Sequence, residues 1–163
     1  MAFKRIELMR PRALDESRII RHWEDLFDLS YQFAPAEKPK IHVDTNLLFW
    51  EHHFPALEKS YPNGYKKTGT LRYKPGHIRM PSGNQLPVFE TEEFKKGMPP
   101  RGIVTIDLVV ACELKDITEE EWLHGGFICQ DEMFLGMKTY YPDITPESVL
   151  SHYHFKNYKP IKR

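Results

Sequence analysis

The sequence predicts an α+β protein: a small, partly open β-barrel flanked by helices, with a helical extension at its N-terminus. Three observations lead there. Short strand-like runs between Lys67 and Phe89 are separated by strong turn signals. One long run, Gly102 to Leu114, is mostly apolar on both faces and suits the middle of a sheet or barrel. Helical patterns precede and follow these strands, and a last alternating run closes the chain, an order that belongs to the α+β class.

The elements follow in order. Met1 to Arg12 reads as a strand or an extended arm with four basic residues. Asp15 or Ser17 can cap a helix over 16–31, where Ile19, Ile20, Trp23, Leu26, Phe27 and Tyr31 repeat at spacings of three and four. Pro35 and Pro39 mark a connection, and Ile41 to Val43 a short strand. Asp44 is placed as the cap of a second helix through Leu47, Leu48, Trp50 and Glu51, with a kink or fresh start at Pro55. Strands are expected near 67–73, 77–80 and 86–89, and a loop from Glu90 to Pro100. Along the long strand, strict alternation puts Val104, Ile106, Leu108, Val110 and Cys112 on one face and Ile103, Thr105, Asp107, Val109 and Ala111 on the other. Asp107 there needs a partner, and a structural role is expected for it. Thr118 caps Glu119-Glu120-Glu121, and Gly125-Gly126 ends that helix. Gln130 to Tyr141 reads as a further helix stopped by Pro142, and Ser151 to Tyr158 as the closing strand.

The chain has 163 residues, 40% hydrophobic and 28% charged, enough for one domain with a real core. Its division is expected at residues 1–53 for the extension and 54–163 for the barrel, packed as one compact unit. No apolar run is long enough to span a bilayer. Charges interrupt the apolar N-terminal residues, so no signal peptide is read there and a cytoplasmic location is expected. Cys112 and Cys129 have no disulfide or zinc spacing and are read as buried thiols. Formal net charge is zero, yet it is unevenly spread. Lys59 to Phe89 carries six Lys or Arg and no acid, whereas Asp107 to Glu147 carries ten acids against Lys115 and Lys138. Such segregation can create one anion-attracting face.

Within the basic stretch, Lys67-Thr68-Gly69-Thr70-Leu71-Arg72 places two hydroxyls and two cations on six residues. The order Gly64, Lys67-Thr68-x-Thr70-x-Arg72, Gly76 resembles the ASCH domain, a family of the PUA-like superfamily of small β-barrels. Downstream, Leu114 to Thr118, Gly125-Gly126-Phe127, Tyr141-Pro142 and Tyr153 to Phe155 follow the family's order, so the resemblance covers roughly residues 54–158. It implies a PUA-like barrel and a nucleotide-related function. ASCH members that hydrolyse acetylated cytidine use a Lys, a Thr and a Glu. Lys67 and Thr70 match the first two by position. Gly125 stands where the Glu would be, and His124 or one of Glu119 to Glu121 substitutes only if the loop brings it inward.

The expected chemistry follows. Lys67 can bind phosphate or, desolvated beside other cations, act as a base, with Thr70 orienting substrate or attacking it. Tyr65, Lys66, Thr68, Arg72, Tyr73, His77 and Arg79 are the expected ligand contacts, since planar guanidinium groups suit phosphate and interleaved aromatics suit stacked bases. On a regular strand Lys67 and Thr70 would face opposite ways, so a bend at Gly69, or a Lys67 still in the turn, is needed for both to serve one site. His152 and His154 share a strand face and could chelate, but no third ligand is evident, so no metal and no cofactor are expected. The favoured function is binding of RNA or a modified nucleotide in a basic cleft, without membrane contact. The alternative is a hydrolase acting on an acylated nucleoside such as N4-acetylcytidine, or on RNA.

Overall fold

A computed structural model describes residues 5–9 and 40–162. The helix expected over 16–31 lies outside the described residues. Eight strands are described: β1 (Ile6–Met9), β2 (Lys40–Asp44), β3 (Leu47–Phe49), β4 (Gly69–Arg72), β5 (His77–Pro81), β6 (Gln85–Glu90), β7 (Gly102–Glu113) and β8 (Val149–Pro160). Three short helices accompany them: α1 (Phe54–Glu58), α2 (Glu119–Leu123) and α3 (Gln130–Tyr140). The main sheet runs β3-β6-β7-β8-β4, with β1 also paired to β7, and it curls into a half-barrel. A parallel pair, β2 and β5, forms the second sheet. The architecture is thus the expected α+β, partly open barrel with helices on its flank. Among the described residues no helix is long and apolar enough to cross a membrane.

The segment from Asp44 to Glu51 differs from expectation. Leu47–Phe49 is a strand paired in parallel with β6, not part of a helix. The apolar spacing that resembled a helical face reflects burial of Leu47 and Phe49 on one side of a three-residue strand. The helix starts afresh at Phe54 with Pro55 in its first turn, where a missing N–H costs nothing. Strands β1, β2 and β3 pair with β7, β5 and β6. The chain before residue 54 therefore contributes strands to both sheets.

The long strands β7 and β8 form the antiparallel spine, and two bulges set their facing. Ile106 pairs with Phe155 and Leu108 with His154, so Asp107 is an extra residue on β7. The bulge reverses the alternation: Val104 and Ile106 share the main core with Val109 and Ala111, not with Val110 and Cys112. Freed from the ladder, Asp107 is half-buried and pairs with Lys156 Nζ at 3.4 Å. Asn157 (φ 55°) lies in the second irregularity, on β8, in a conformation Asn tolerates better than most residues. A smaller core cluster joins Cys112, Leu114 and Leu150 to Met133 and Met137 of α3. Cys112 is buried as expected, whereas Cys129 is exposed at the start of α3.

Asp44 joins the two sheets. It is 6% exposed. Arg79 Nε and Nη2 donate to its two oxygens at 3.1 and 2.5 Å, and Tyr153 Oη donates to Oδ2 at 2.5 Å. One carboxylate thus binds β2, β5 and β8. Asp44→Ala leaves the Arg79 charge without its partner inside the protein, and urea denaturation should show a loss of about 3–5 kcal/mol. A loss below about 1 kcal/mol would mean that this node does not hold the sheets together.

Candidate functional site

The approach to β4 decides which side chains can meet. Gly64 has φ of 87°, and Tyr65 N–H donates to Asn63 Oδ1 at 2.9 Å, closing an Asx turn. Asn63 Nδ2 also donates to the Leu123 carbonyl at 3.0 Å, tying this turn to the end of α2. Lys67 N–H then donates to Ala56 O at 2.8 Å, and β4 begins only at Gly69. Lys67 therefore precedes the strand, and strand alternation does not separate it from Thr70. Both line one cavity of about 300 Å³, together with Arg72.

Two cations, Lys67 buried and Arg72 half-buried, stand beside that cavity. Lys67 is 5% exposed, and its Nζ lies 4.8 Å from the Phe49 ring centre. Its ammonium donates to the Gly69 carbonyl at 3.0 Å. Burial, and then the neighbouring Arg72 charge, push it down to about 7. Arg72 Nη2 donates to Leu48 O at 3.3 Å, while its buried Nε has no hydrogen-bond partner among the described residues. Its guanidinium carbon lies 5.4 Å from the Phe49 ring centre. The remaining walls are largely aromatic: Trp50, Trp122, Phe127, Tyr140 and Tyr141. Trp50 and Tyr140 stack with centres 6.4 Å apart. His53 is pushed down to about 2 by burial and by Lys67, so it contributes no positive charge.

Glu121 also lines this cavity, from the helix that begins at Thr118. A capping box turns it inward: Glu121 N–H donates to Thr118 Oγ1 at 3.2 Å, and Thr118 N–H donates to Glu121 Oε1 at 2.9 Å. Arg5 grips both carboxylate oxygens at 3.0 and 2.9 Å. His152 Nδ1 and His154 Nε2 approach Oε2 at 3.1 and 2.9 Å. Burial alone would raise the Glu121 carboxyl, but hydrogen bonds from His152, His154 and Arg5 hold it well below the usual carboxylate range. Burial pushes His152 down to about 4 despite Glu121. The carboxylate is ionised and this imidazole neutral. A second cavity, also about 300 Å³, opens on the other side of Glu121 and His152 and includes Thr68, His124 and His154.

The structure thus brings together Lys67, Thr70 and Arg72 and sets Thr68 in the adjoining cavity. Tyr65 and Lys66 are exposed next to His124, whose Nδ1 meets the Lys66 carbonyl at 2.7 Å and whose ring meets Tyr65 edge-on at 5.1 Å. Three expected contacts lie elsewhere. Tyr73 is built into the smaller core cluster, edge-on to Tyr141. His77 Nδ1 pairs with the Pro75 carbonyl at 2.9 Å. Arg79 is committed to Asp44. Alternation along short strands sends neighbouring residues to opposite sides, so a basic stretch in sequence is not one basic surface in space. Sequence reasoning missed the aromatic walls, left Glu121 undistinguished from Glu119 and Glu120, and saw His152 only as a possible chelator without its third partner. The signal for Glu121 was the Thr118-x-x-Glu121 spacing, since a capping box folds its acid back toward the chain.

No family model matches the sequence, and no curated protein matches it significantly. Among solved structures, the fold is similar to that of ZmASCH, a protein from Zymomonas mobilis solved as a tyrosine-to-phenylalanine mutant. That likeness has 16% identity and a TM-score of 0.46, and covers 76% of this chain and 73% of the other. A second similar structure is a DUF984 protein from Enterococcus faecalis, at 12% identity and a TM-score of 0.42, covering 91% of this chain and 99% of that one.

Gly69 connects the two cavities sterically. A Cβ placed on it would lie 2.6 Å from His152 Nε2 and 3.3 Å from the Tyr153 carbonyl. His152 is buried and tethered by Glu121, so it cannot swing away cheaply. Gly69→Ala should cost about 1–3 kcal/mol by overpacking and shift the imidazole NMR signals of His152. Unchanged stability and unchanged signals would show that the close approach is unimportant.

Proposed function

We propose that the aromatic cleft binds a nucleoside or nucleotide, the base lying among Trp50, Trp122 and Tyr140 and an anionic or carbonyl group meeting Lys67 and Arg72. One observation carries the reading. Lys67 Nζ, buried, and Arg72 Nε, buried and unpartnered among the described residues, stand together beside an aromatic-lined cavity. Burying two like charges is unfavourable, and an anion between them reverses the sign of that cost. The aromatic rings supply stacking, worth about 1–3 kcal/mol per base. The cavity volume falls at the small end of ligand sites, roughly 300–1,000 Å³. That size and the small number of cations favour a single nucleotide unit, free or at an accessible RNA position, over a long RNA groove. The ASCH-like motif at Lys67 to Arg72 supports the same class of ligand.

A hydrolase acting on an acylated nucleoside is the second reading, favoured by the lowered pKa of Lys67. A neutral Nζ can take the proton of a water, or of the Thr70 hydroxyl, as that oxygen attacks an amide carbonyl. Arg72 Nε is a free donor for the oxyanion that develops. Glu121 brings a carboxylate to the same cavity despite Gly125.

The two readings respond oppositely to pH. Titration with cytidine 5′-monophosphate, followed by fluorescence of Trp50 and Trp122, should show binding that weakens as pH rises through about 7 and above, as Lys67 loses its proton. Lys67→Arg, which stays charged, should remove that dependence, and Lys67→Ala should weaken binding on the order of 10- to 100-fold. Equal affinity of Lys67→Ala for the nucleotide would overturn the binding role. Hydrolysis of N4-acetylcytidine would instead rise with pH through about 7 in kcat/KM. A flat profile would sink the hydrolase reading.

Stability supplies an independent check. The folded-state pKa of Lys67 lies near 7 and its ordinary value is 10.5, so the unfolded chain binds the extra proton between them. Folding stability relative to Lys67→Met should therefore rise from pH 7 toward 10.5 and stay flat below pH 7. A pH-independent difference would place Lys67 in water.

A further inference from the structure

The geometry points to a divalent transition-metal site formed by Glu121 Oε2, His152 Nδ1 and His154 Nε2, accepting a first-row ion of the Zn²⁺ type. These three atoms form a nearly equilateral triangle. Its edges are 3.1 Å from Oε2 to Nδ1, 2.9 Å from Oε2 to Nε2 and 2.8 Å from Nδ1 to Nε2. Donors held at about 2.0–2.1 Å from one ion lie about 2.9 Å apart when mutually at right angles, and about 3.4 Å apart in a tetrahedron. The triangle matches three adjacent ligand positions and leaves the opposite side for water or a ligand. Two imidazoles and one carboxylate are a donor set used for zinc and for non-haem iron.

Hydrogen bonding alone does not satisfy this triangle. Consider the deprotonated carboxylate, the form that would bind a metal, which offers no proton. If both ring nitrogens carry hydrogen and donate to Oε2, two N–H groups confront each other across 2.8 Å. If only one carries hydrogen, at least one edge sets lone pair against lone pair. With Glu121 deprotonated, every assignment leaves one short edge repulsive. A cation at the centre makes all three lone pairs attractive at once.

The supports around the triangle are those a metal site needs. His152 and His154 project from the same face of β8, two residues apart. The His152 ring is backed by Gly69, so its Nδ1 is aimed at Glu121. Arg5 and the Thr118 N–H hold the carboxylate from behind through both oxygens. The second cavity gives access from the side of Thr68 and His124, and Glu121 with His152 also borders the aromatic cleft. The site stands independently of what that cleft binds.

Metal binding is tested on the full chain, tag removed and treated with chelator, in the absence of nucleotide. Titration with Co²⁺ should give visible d–d absorption saturating at one equivalent, and Zn²⁺ should displace it and raise the melting temperature. Mg²⁺, which prefers oxygen donors, should do neither. His154→Ala removes a partly exposed ligand, and Glu121→Gln keeps the side-chain shape. Each should weaken Co²⁺ binding more than tenfold, the smallest effect commonly seen even for groups behind the ligands. Absence of a Co²⁺ spectrum in the wild-type chain overturns the proposal whatever the variants do. So does one-equivalent binding of undiminished affinity in His154→Ala, which would place the ion elsewhere.

Discussion

The Glu121 carboxylate is the constraint on which the site depends. A buried ionised acid is tolerated only where hydrogen bonds and counter-charge replace the water it has lost. Here that replacement comes from Arg5 beside β1, from the Thr118 backbone at the start of α2, and from two histidines on β8. Segments more than a hundred residues apart must therefore agree on one position for one side chain. That agreement places α2 against the sheet and makes Glu121 and His152 a shared wall between two cavities.

The aromatic cleft is organised by the opposite problem, positive charge with too few partners. Lys67 and Arg72 lie beside the same Phe49 ring and raise each other's cost of ionisation. Arg72 stays charged because guanidinium is so strongly basic, and the cost falls on Lys67, whose proton becomes exchangeable near neutrality. A lysine in that condition can hold an anion or work as a base. Its position, before β4 and anchored through the Ala56 carbonyl, aims it into the cleft without depending on strand periodicity.

Much of the fold was legible because it rests on local rules. The turn signals at Pro75-Gly76 and Ser82 to Asn84 separate real strands, the capping box at Thr118 starts a real helix, and β7 and β8 lie within a residue or two of their expected bounds. The failures are non-local. Leu47–Phe49 joins a sheet because β6 lies beside it, which no spacing in that segment reveals. The bulge at Asp107 changes which residues of β7 face the core, and only its pairing with β8 shows it. Lys67, Thr70 and Arg72, singled out from one short motif, line one cavity. Tyr73, His77 and Arg79 do not line that cavity, because proximity in sequence is not proximity in space. Glu121 was hidden among three consecutive acids, of which only the third folds back.

The order of the strands has a consequence for how the chain is made. β8 lies between β7 and β4 in the sheet, yet among the described strands it is synthesised after all the others. Until it emerges, one edge of β7 lacks its neighbour, β4 has no strand to pair with, and neither histidine of the Glu121 cluster exists. Neither cavity can close on a nascent chain, because His152 borders both. The twelve residues Val149–Pro160 complete sheet, core and site in one step. Such late, long-range closure makes for slow folding and leaves an unpaired edge exposed in the interim. A chain cut before β8 would be an incomplete sheet without either cavity, rather than a smaller version of the same protein.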